Sequence, residues 1–297
     1  MQIADVIWKY IDKSHFEPGL RIWREGDTSP SYLPLPKGKD LSWMIRGPKR
    51  CIGSINESGK LSPCPENAVV FGGAQKCGPC SAVDIMDPCI RCDGRRCDAV
   101  DARRLQCEQT DYVVYAAIFN DMTLKVGVSS KGRAMTRWVE QGADYAGVLR
   151  QINGGRNARR IEDKIGKLKG VTKQVRSVRK TRALLDTLTL SEAEEIVTDF
   201  ISKSSHLELE NDIHLLDLSK FYTLPKLDLT PIPWRKRSDP IDGRAIVGEI
   251  IGLKGSLMVT AIQSSLTVID LKQLIGYSID QDSDITLVTQ TGLMDFF

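Results

Sequence analysis

A chain of 297 residues, 41% of them apolar and 27% charged, is long enough for two or three modest cores and lacks the bias of a fibrous or wholly disordered protein. No apolar run reaches the roughly 18 residues a membrane span needs, and Met1–Leu20 carries Lys9, Asp12, Lys13 and Glu17 where a secretory signal needs an apolar centre. A soluble, cytoplasmic protein is therefore expected, with no membrane partner; its net charge of +3 divides unevenly, because eleven Lys or Arg against two acids place +9 between Arg156 and Arg182 and leave −6 elsewhere.

Residues 1–50 alternate apolar and polar over Leu20–Arg24 and again over Leu41–Ile45, with turn residues at Gly26-Asp27 and Pro36–Gly38. This predicts an N-terminal β segment, with Trp23 and Trp43 in the core of a strand face rather than stacked on bases.

All eight cysteines follow within residues 51–108: Cys51, Cys64, Cys77, Cys80, Cys89, Cys92, Cys97 and Cys107. Cys77-Gly-Pro-Cys80 and Cys89-Ile-Arg-Cys92 have the two-residue gap that turns both sulfurs toward one ion, which suits tetrahedral Zn²⁺. Eight ligands make two closed, structural Zn²⁺ sites. A sequential partition gives Cys51, Cys64, Cys77 and Cys80 to one and Cys89, Cys92, Cys97 and Cys107 to the other; an interleaved partition meets the same spacing. His15, His206 and His214 lie far away in sequence, which favours all-sulfur ligation, and few large apolar residues occur between Asn56 and Gly94, so metal is expected to fold the segment. An iron–sulfur cluster and a redox dithiol are the competing chemistries, and Cys51 has the alternative of a buried thiol at a strand end.

From Tyr112 the pattern changes. Tyr112–Phe119 favours a strand, Asn120-Asp121 turns, and Leu124–Val128 returns as the second strand of a hairpin. A helix is predicted over Arg133–Gln141, capped by Ser129 or Ser130 and ended by Gly142, and a second helix by Ile161, Ile165 and Leu168, with Glu162 on its margin. Tyr115, Lys125, Arg137 and Glu162 are the candidate catalytic residues. Each also has a purely structural role open to it: Tyr115 in the core, Lys125 guarding an edge strand, Arg137 stacked on Trp138 or paired with Glu140, and Glu162 with Arg159 or Lys164.

The basic run that overlaps the second helix points to a phosphate backbone, with Arg156, Arg159, Arg160, Lys164 and Lys167 as candidate nucleic-acid contacts and Trp234–Arg237 as a further basic patch. RNA is favoured over DNA, since no major-groove reading module is visible. Ser191-Glu192-Ala193-Glu194 fits a capping box for a helix through Phe200. Strands are expected over Ala245–Gly252, Leu257–Ile262 and Leu266–Ile269, with Gly248, Gly252, Gly255 and Gly276 as bends of a small barrel or curved sheet. The N-terminal strands are too few for a core, so they are expected to join this set in one discontinuous β-barrel.

Hairpin, arginine-bearing helix and glutamate-bearing helix together resemble the GIY-YIG nuclease module, with Val113-Val114-Tyr115 and Lys125-Val126-Gly127 as its two short motifs. Combined with the cysteine block and with Arg137–Ala143, the sequence looks like the zinc-containing family catalogued as domain of unknown function 2797. The resemblance implies metal-dependent phosphodiester cleavage: Mg²⁺ on Glu162, Tyr115 orienting or deprotonating water, and Arg137 holding a phosphate oxygen. Lys125 replaces the tyrosine of the second motif and Val113 the first glycine, which leaves a non-catalytic, zinc-stabilised nucleic-acid-binding protein as the alternative. The expected fold is α+β: a β segment (1–50), a double zinc segment (51–108), a GIY-YIG-like domain with its basic helix (109–205) and a C-terminal β domain (206–297).

Overall fold

A computed structural model describes residues 1–204, 207, 209–210, 213–236 and 238–281; His206 and Arg237 lie outside the described residues. In chain order the elements are β1 (Gln2–Asp12), β2 (His15–Trp23), β3 (Ser31–Pro34), β4 (Asp40–Arg46), β5 (Ser54–Ile55), β6 (Leu61–Ser62), α1 (Gly78–Val83), α2 (Asp87–Arg91), α3 (Asp101–Gln109), β7 (Asp111–Ile118) and β8 (Leu124–Ser130). Then come α4 (Ala134–Gln141), β9 (Tyr145–Asn153), α5 (Gly155–Ile165), β10 (Val171–Thr172), α6 (Ser177–Arg182), α7 (Leu190–Ser202), β11 (Leu216–Asp217), β12 (Ile232–Pro233), β13 (Ala245–Lys254), β14 (Leu257–Ile262), β15 (Ser265–Asp270) and β16 (Ser278–Asp280). The class is α+β.

In β4 the alternation Leu41, Trp43, Ile45 turns one face inward and leaves Asp40, Ser42 and Arg46 on the other side. Nine strands form one sheet in the order β12-β15-β14-β13-β4-β16-β1-β2-β3. N-terminal and C-terminal strands therefore interleave: β4 lies between β13, with Met44 opposite Ala245, and β16, with Arg46 opposite Ser278. Among the described residues the sheet is open at β12 and β3, so the expected barrel does not form. Curvature comes instead from Gly248 and from a bulge at Gly252, where a Cβ would lie 2.4 Å from the carbonyl oxygen of Thr223.

The second sheet runs β10-β8-β7-β9-β11, with β7 antiparallel to both β8 and β9. Its loop between β7 and β8 is longer than the two-residue Asn120-Asp121 turn, because Phe119 and Thr123 pair across it and Met122 takes a left-handed conformation. One face of β7 (Val113, Tyr115, Ala117) packs on α4 and the core of the nine-stranded sheet. The other face (Val114, Ala116, Ile118) packs on α5 and α7 through Ala158, Ile165, Val197 and Phe200. The cap of α7 lies two residues before the expected box: Thr189 accepts from the N–H of Glu192, whose carboxylate accepts from the N–H of Thr189.

The two sheets meet closely at α4. Gly142 ends that helix in the left-handed conformation, and a Cβ on Gly255 would come within 2.7 Å of its nitrogen. Lys254 pairs with Asp144 at 2.5 Å across this contact, and the Trp8 indole N–H donates to the carbonyl of Gly255 at 2.7 Å. Trp23 and Trp43 are both core residues.

Candidate functional site

The cysteine segment divides into two unlike halves. Cys51, Cys64, Cys77 and Cys80 place their sulfurs within 4.8 Å of one another. Cys51 follows the β4 strand, Cys64 follows β6, and Cys77 and Cys80 flank the first turn of α1, where Pro79 fixes the backbone without needing an N–H partner. The backbone N–H groups of Cys77 and Gly53 point at the Cys51 sulfur, at 3.2 and 3.4 Å. Such N–H···S contacts favour a thiolate. Burial pushes the Cys51 and Cys80 thiols up, whereas the backbone N–H of Cys80 holds the Cys77 thiol below its usual range. A soft divalent cation is the group that would turn all four into thiolates, and four sulfurs without a fifth donor are what a closed Zn²⁺ site requires.

Cys89, Cys92, Cys97 and Cys107 are not drawn into a corresponding cluster among the described residues. Cys107 instead accepts from the Tyr112 hydroxyl at 3.9 Å, and Cys89 lies near enough to Arg103 to act on its charge. Gly155 permits this arrangement, since a Cβ there would lie 2.6 Å from the Cys107 sulfur.

The structure brings the four candidate catalytic residues into one neighbourhood. Tyr115 on β7 stands opposite Gly127 on β8, and a Cβ at Gly127 would be 2.4 Å from the tyrosine hydroxyl; the glycine is what lets the ring lie across the neighbouring strand. Tyr115 is only 1% exposed, stacks edge-on against Trp138 and accepts from Gln141 Nε2 at 2.6 Å. Burial raises its pKa, which Arg137 and Gln141 counter.

Lys125 is paired with Ala117, two residues from Gly127, and so shares the Tyr115 face. Burial first, and then the positive charge of Arg137, lower its pKa to about 8, against a weaker opposing influence from Glu162. Arg137 projects from the exposed margin of α4 and is 3.9 Å from Glu140. Glu162 lies on the margin of α5, near enough for its charge to act on both Tyr115 and Lys125. One of its oxygens accepts from Arg159 at 2.9 Å. The structural partners expected for Arg137 and Glu162 thus occur together with the clustering.

Three further residues belong to this neighbourhood. Gln141 holds Tyr115; Lys180 on α6 donates to the Gln141 carbonyl with its ammonium 5.4 Å from the Phe119 ring centre; Lys272, just after β15, acts electrostatically on both Lys125 and Lys180. Burial and these like charges bring Lys180 down to about 7. Lys180 was visible as part of the basic run, whereas nothing local marked Lys272, which arrives from the other sheet.

The basic helix is used differently from the expected phosphate-contacting face. Arg156 donates to the carbonyl of Arg95 at 3.0 Å and Arg160 to that of Gly94 at 2.9 Å, so both fasten the cysteine segment to α5. Lys167 and Lys173 each hold Asp163 at 2.7 Å, well below the usual carboxylate range, and Arg159 holds Glu162. Lys164 is exposed. No helix among the described residues is long and apolar enough to cross a membrane.

A family profile described as "Protein of unknown function (DUF2797)" matches residues 38–279. No curated protein and no solved structure matches the chain.

Proposed function

We propose that this chain, which belongs to the DUF2797 family through a match over residues 38–279, is a zinc-stabilised, metal-dependent phosphodiesterase of GIY-YIG-like design acting on nucleic acid, RNA before DNA. The observation that carries the proposal is the convergence of Tyr115, Lys125, Arg137 and Glu162 from a hairpin and two helices in the order β7-β8-α4-β9-α5.

In this reading Arg137 takes a non-bridging phosphate oxygen through its planar fork. A pKa of about 8 puts Lys125 in the range where a side chain transfers protons near neutral pH, so it is assigned the proton from the attacking water, with Tyr115 fixing the geometry through Gln141. Glu162 keeps one oxygen outside its bond to Arg159, and a single carboxylate is enough for Mg²⁺ when phosphate and water complete the octahedron. Bound there, Mg²⁺ would polarise the scissile phosphate. Arg159 holds one oxygen of Glu162 and Lys125 lies in its electrostatic reach, so a Mg²⁺ held by Glu162 would need the phosphate as an additional ligand and counter-charge.

A second Zn²⁺ at Cys89, Cys92, Cys97 and Cys107 extends the proposal; metal analysis of the purified protein separates about one Zn²⁺ per chain from about two.

Glu162→Gln tests the enzyme reading: Mg²⁺-dependent cleavage of bulk RNA should disappear while RNA binding is retained, and undiminished cleavage in that variant would remove Glu162 from the site. A second reading is favoured by the burial of Tyr115, whose hydroxyl is already engaged by Gln141. It is a protein that binds nucleic acid through the same surface without cutting it, and wild-type protein that binds RNA but leaves it intact with Mg²⁺ would select it.

A further inference from the structure

Four cations from four separate elements lie within electrostatic reach of one another where the two sheets meet: Lys125 on β8, Arg137 on α4, Lys180 on α6 and Lys272 after β15. Among the described residues none of the three lysines forms an ion pair. Arg133, Arg159, Lys167, Lys173 and Arg179, by comparison, each hold a carboxylate. The acids in electrostatic reach are Glu162, Asp270, Asp5 and Glu140; Glu162 is shared with Arg159, Glu140 with Arg133 and Asp5 with Arg21, and among the described residues none comes within ion-pair distance of the three lysines.

Lys180 is fixed where it is by two contacts of its own element. Arg179 pairs with Asp121 in the β7–β8 loop, which docks α6, and the Lys180 ammonium donates to the Gln141 carbonyl. Lys272 is exposed and Arg137 is 46% exposed along its side chain, so the cluster opens to solvent. Taking half-buried cations out of water without a counter-charge is costly, and an anion that reaches them recovers that cost.

We propose that Lys180 and Lys272, contributed from outside the hairpin–helix unit, complete with Lys125 and Arg137 a clamp for a backbone phosphate of a single-stranded nucleic acid. This deepens the functional reading and rests on it for the class of ligand. The clamp is assembled only when the nine-stranded sheet brings Lys272 against the five-stranded one. It places a phosphate beside Tyr115 and Glu162 and makes the interface between the sheets part of the binding surface.

The test uses the full chain in EDTA, so that cleavage plays no part, and follows a short fluorescent oligoribonucleotide by anisotropy across a salt series. Lys180→Met, Lys272→Gln and the control Lys37→Gln, an exposed turn lysine, are compared with wild type. Loss of one phosphate contact should lower the magnitude of the salt slope by about 0.7 for each clamp lysine removed. Affinity should fall several-fold in both clamp variants, and Lys37→Gln should match wild type. Lys272→Gln changes an exposed side chain and keeps the test valid if Lys180→Met fails to fold. Competition by inorganic pyrophosphate that is equally strong against wild type and Lys272→Gln would overturn the clamp, as would an unchanged slope in Lys272→Gln or a wild type that binds neither probe. Wild-type binding that depends on Lys272 without any Mg²⁺-dependent cleavage sustains the clamp and removes only the enzyme.

Discussion

The cysteine segment and the five-stranded sheet that follows it are neighbours held together by different physics. In β7 and β9, Ile118, Val114 and Leu149 are wholly buried, and a fully buried aliphatic side chain contributes about 1.5–3 kcal/mol. Between Cys51 and Gln109 the buried apolar cluster contains Val70 with Cys51 and Cys80, while Phe71, Val83, Ile90, Val100 and Leu105 stand exposed. What orders that segment is polar: four sulfurs, and Asp84, which takes Lys76 at 2.6 Å and the N–H groups of Ile55 and Met86. Burial works to raise the Asp84 pKa, yet Lys76 and those N–H groups hold it low. The contrast separates a segment ordered by sulfur and carboxylate contacts, which a metal at its four cysteines would complete, from a sheet ordered by its apolar core.

The sharpest way to break this contrast is to remove the Zn²⁺ proposed at Cys51, Cys64, Cys77 and Cys80. Structural Zn²⁺ in small sites supplies about 10–16 kcal/mol at neutral pH. Chelation, or Cys77→Ser with Cys80→Ser, should therefore strip hydrogen-exchange protection from residues 51–109 while β7, β8 and β9 keep theirs. Simultaneous loss in both regions would mean that they fold as one unit. A smaller effect comes from the other side: Ile118→Ala should cost about 2–5 kcal/mol in a denaturant titration through the cavity it leaves. Its zinc content should stay at the wild-type value, and a matching loss of zinc would contradict the division.

The smallest expected effect concerns charge in the shared cleft. Lys125 releases its proton near 8 when folded and only near the ordinary lysine value, about 10.4, when unfolded. The unfolded chain thus binds more protons between those limits, so stability rises with pH there, by at most about 1.4 kcal/mol per pH unit from this group. Arg137 and Lys272 face Lys125 with like charge and Glu162 with opposite charge; Lys180, near 7, acts in the same direction. Lys125→Met should flatten the upper part of the rise, and an unaltered pH profile would show that the lysine is better solvated than its burial indicates.

Periodicity made much of this molecule legible. The strands over Leu41–Ile45 and Leu257–Ile262, the hairpin from Tyr112, the helix ended by Gly142 and the core positions of Trp23 and Trp43 all follow from local pattern. Spacing also identified Cys51, Cys64, Cys77 and Cys80, including Cys51, whose alternative was a strand-end thiol. Long-range arrangement was less legible. A run of positive charge says nothing of which members face carbonyls, and Arg156 and Arg160 donate to the carbonyls of Arg95 and Gly94 because a cysteine loop packs there. Likewise Lys272 joins Lys125 through sheet packing that no local signal encodes. Glycines at bends were readable, but bends alone do not close a barrel; closure needs its two edges paired, and among the described residues β12 and β3 are not.

The interleaving of the nine-stranded sheet has a consequence for synthesis. Met44 on β4 faces Ala245, and Gln2 faces Ser278, so each waits for a partner that leaves the ribosome more than two hundred residues later. Throughout that interval both ladder edges of β4, and the edge of β1 away from β2, are bare, the condition under which strands seek foreign partners. The intervening unit, whose contacts are mostly internal, can complete itself first and hold the two halves within reach. A chain that stopped short of β13 would present a finished hairpin module on an unfinished sheet.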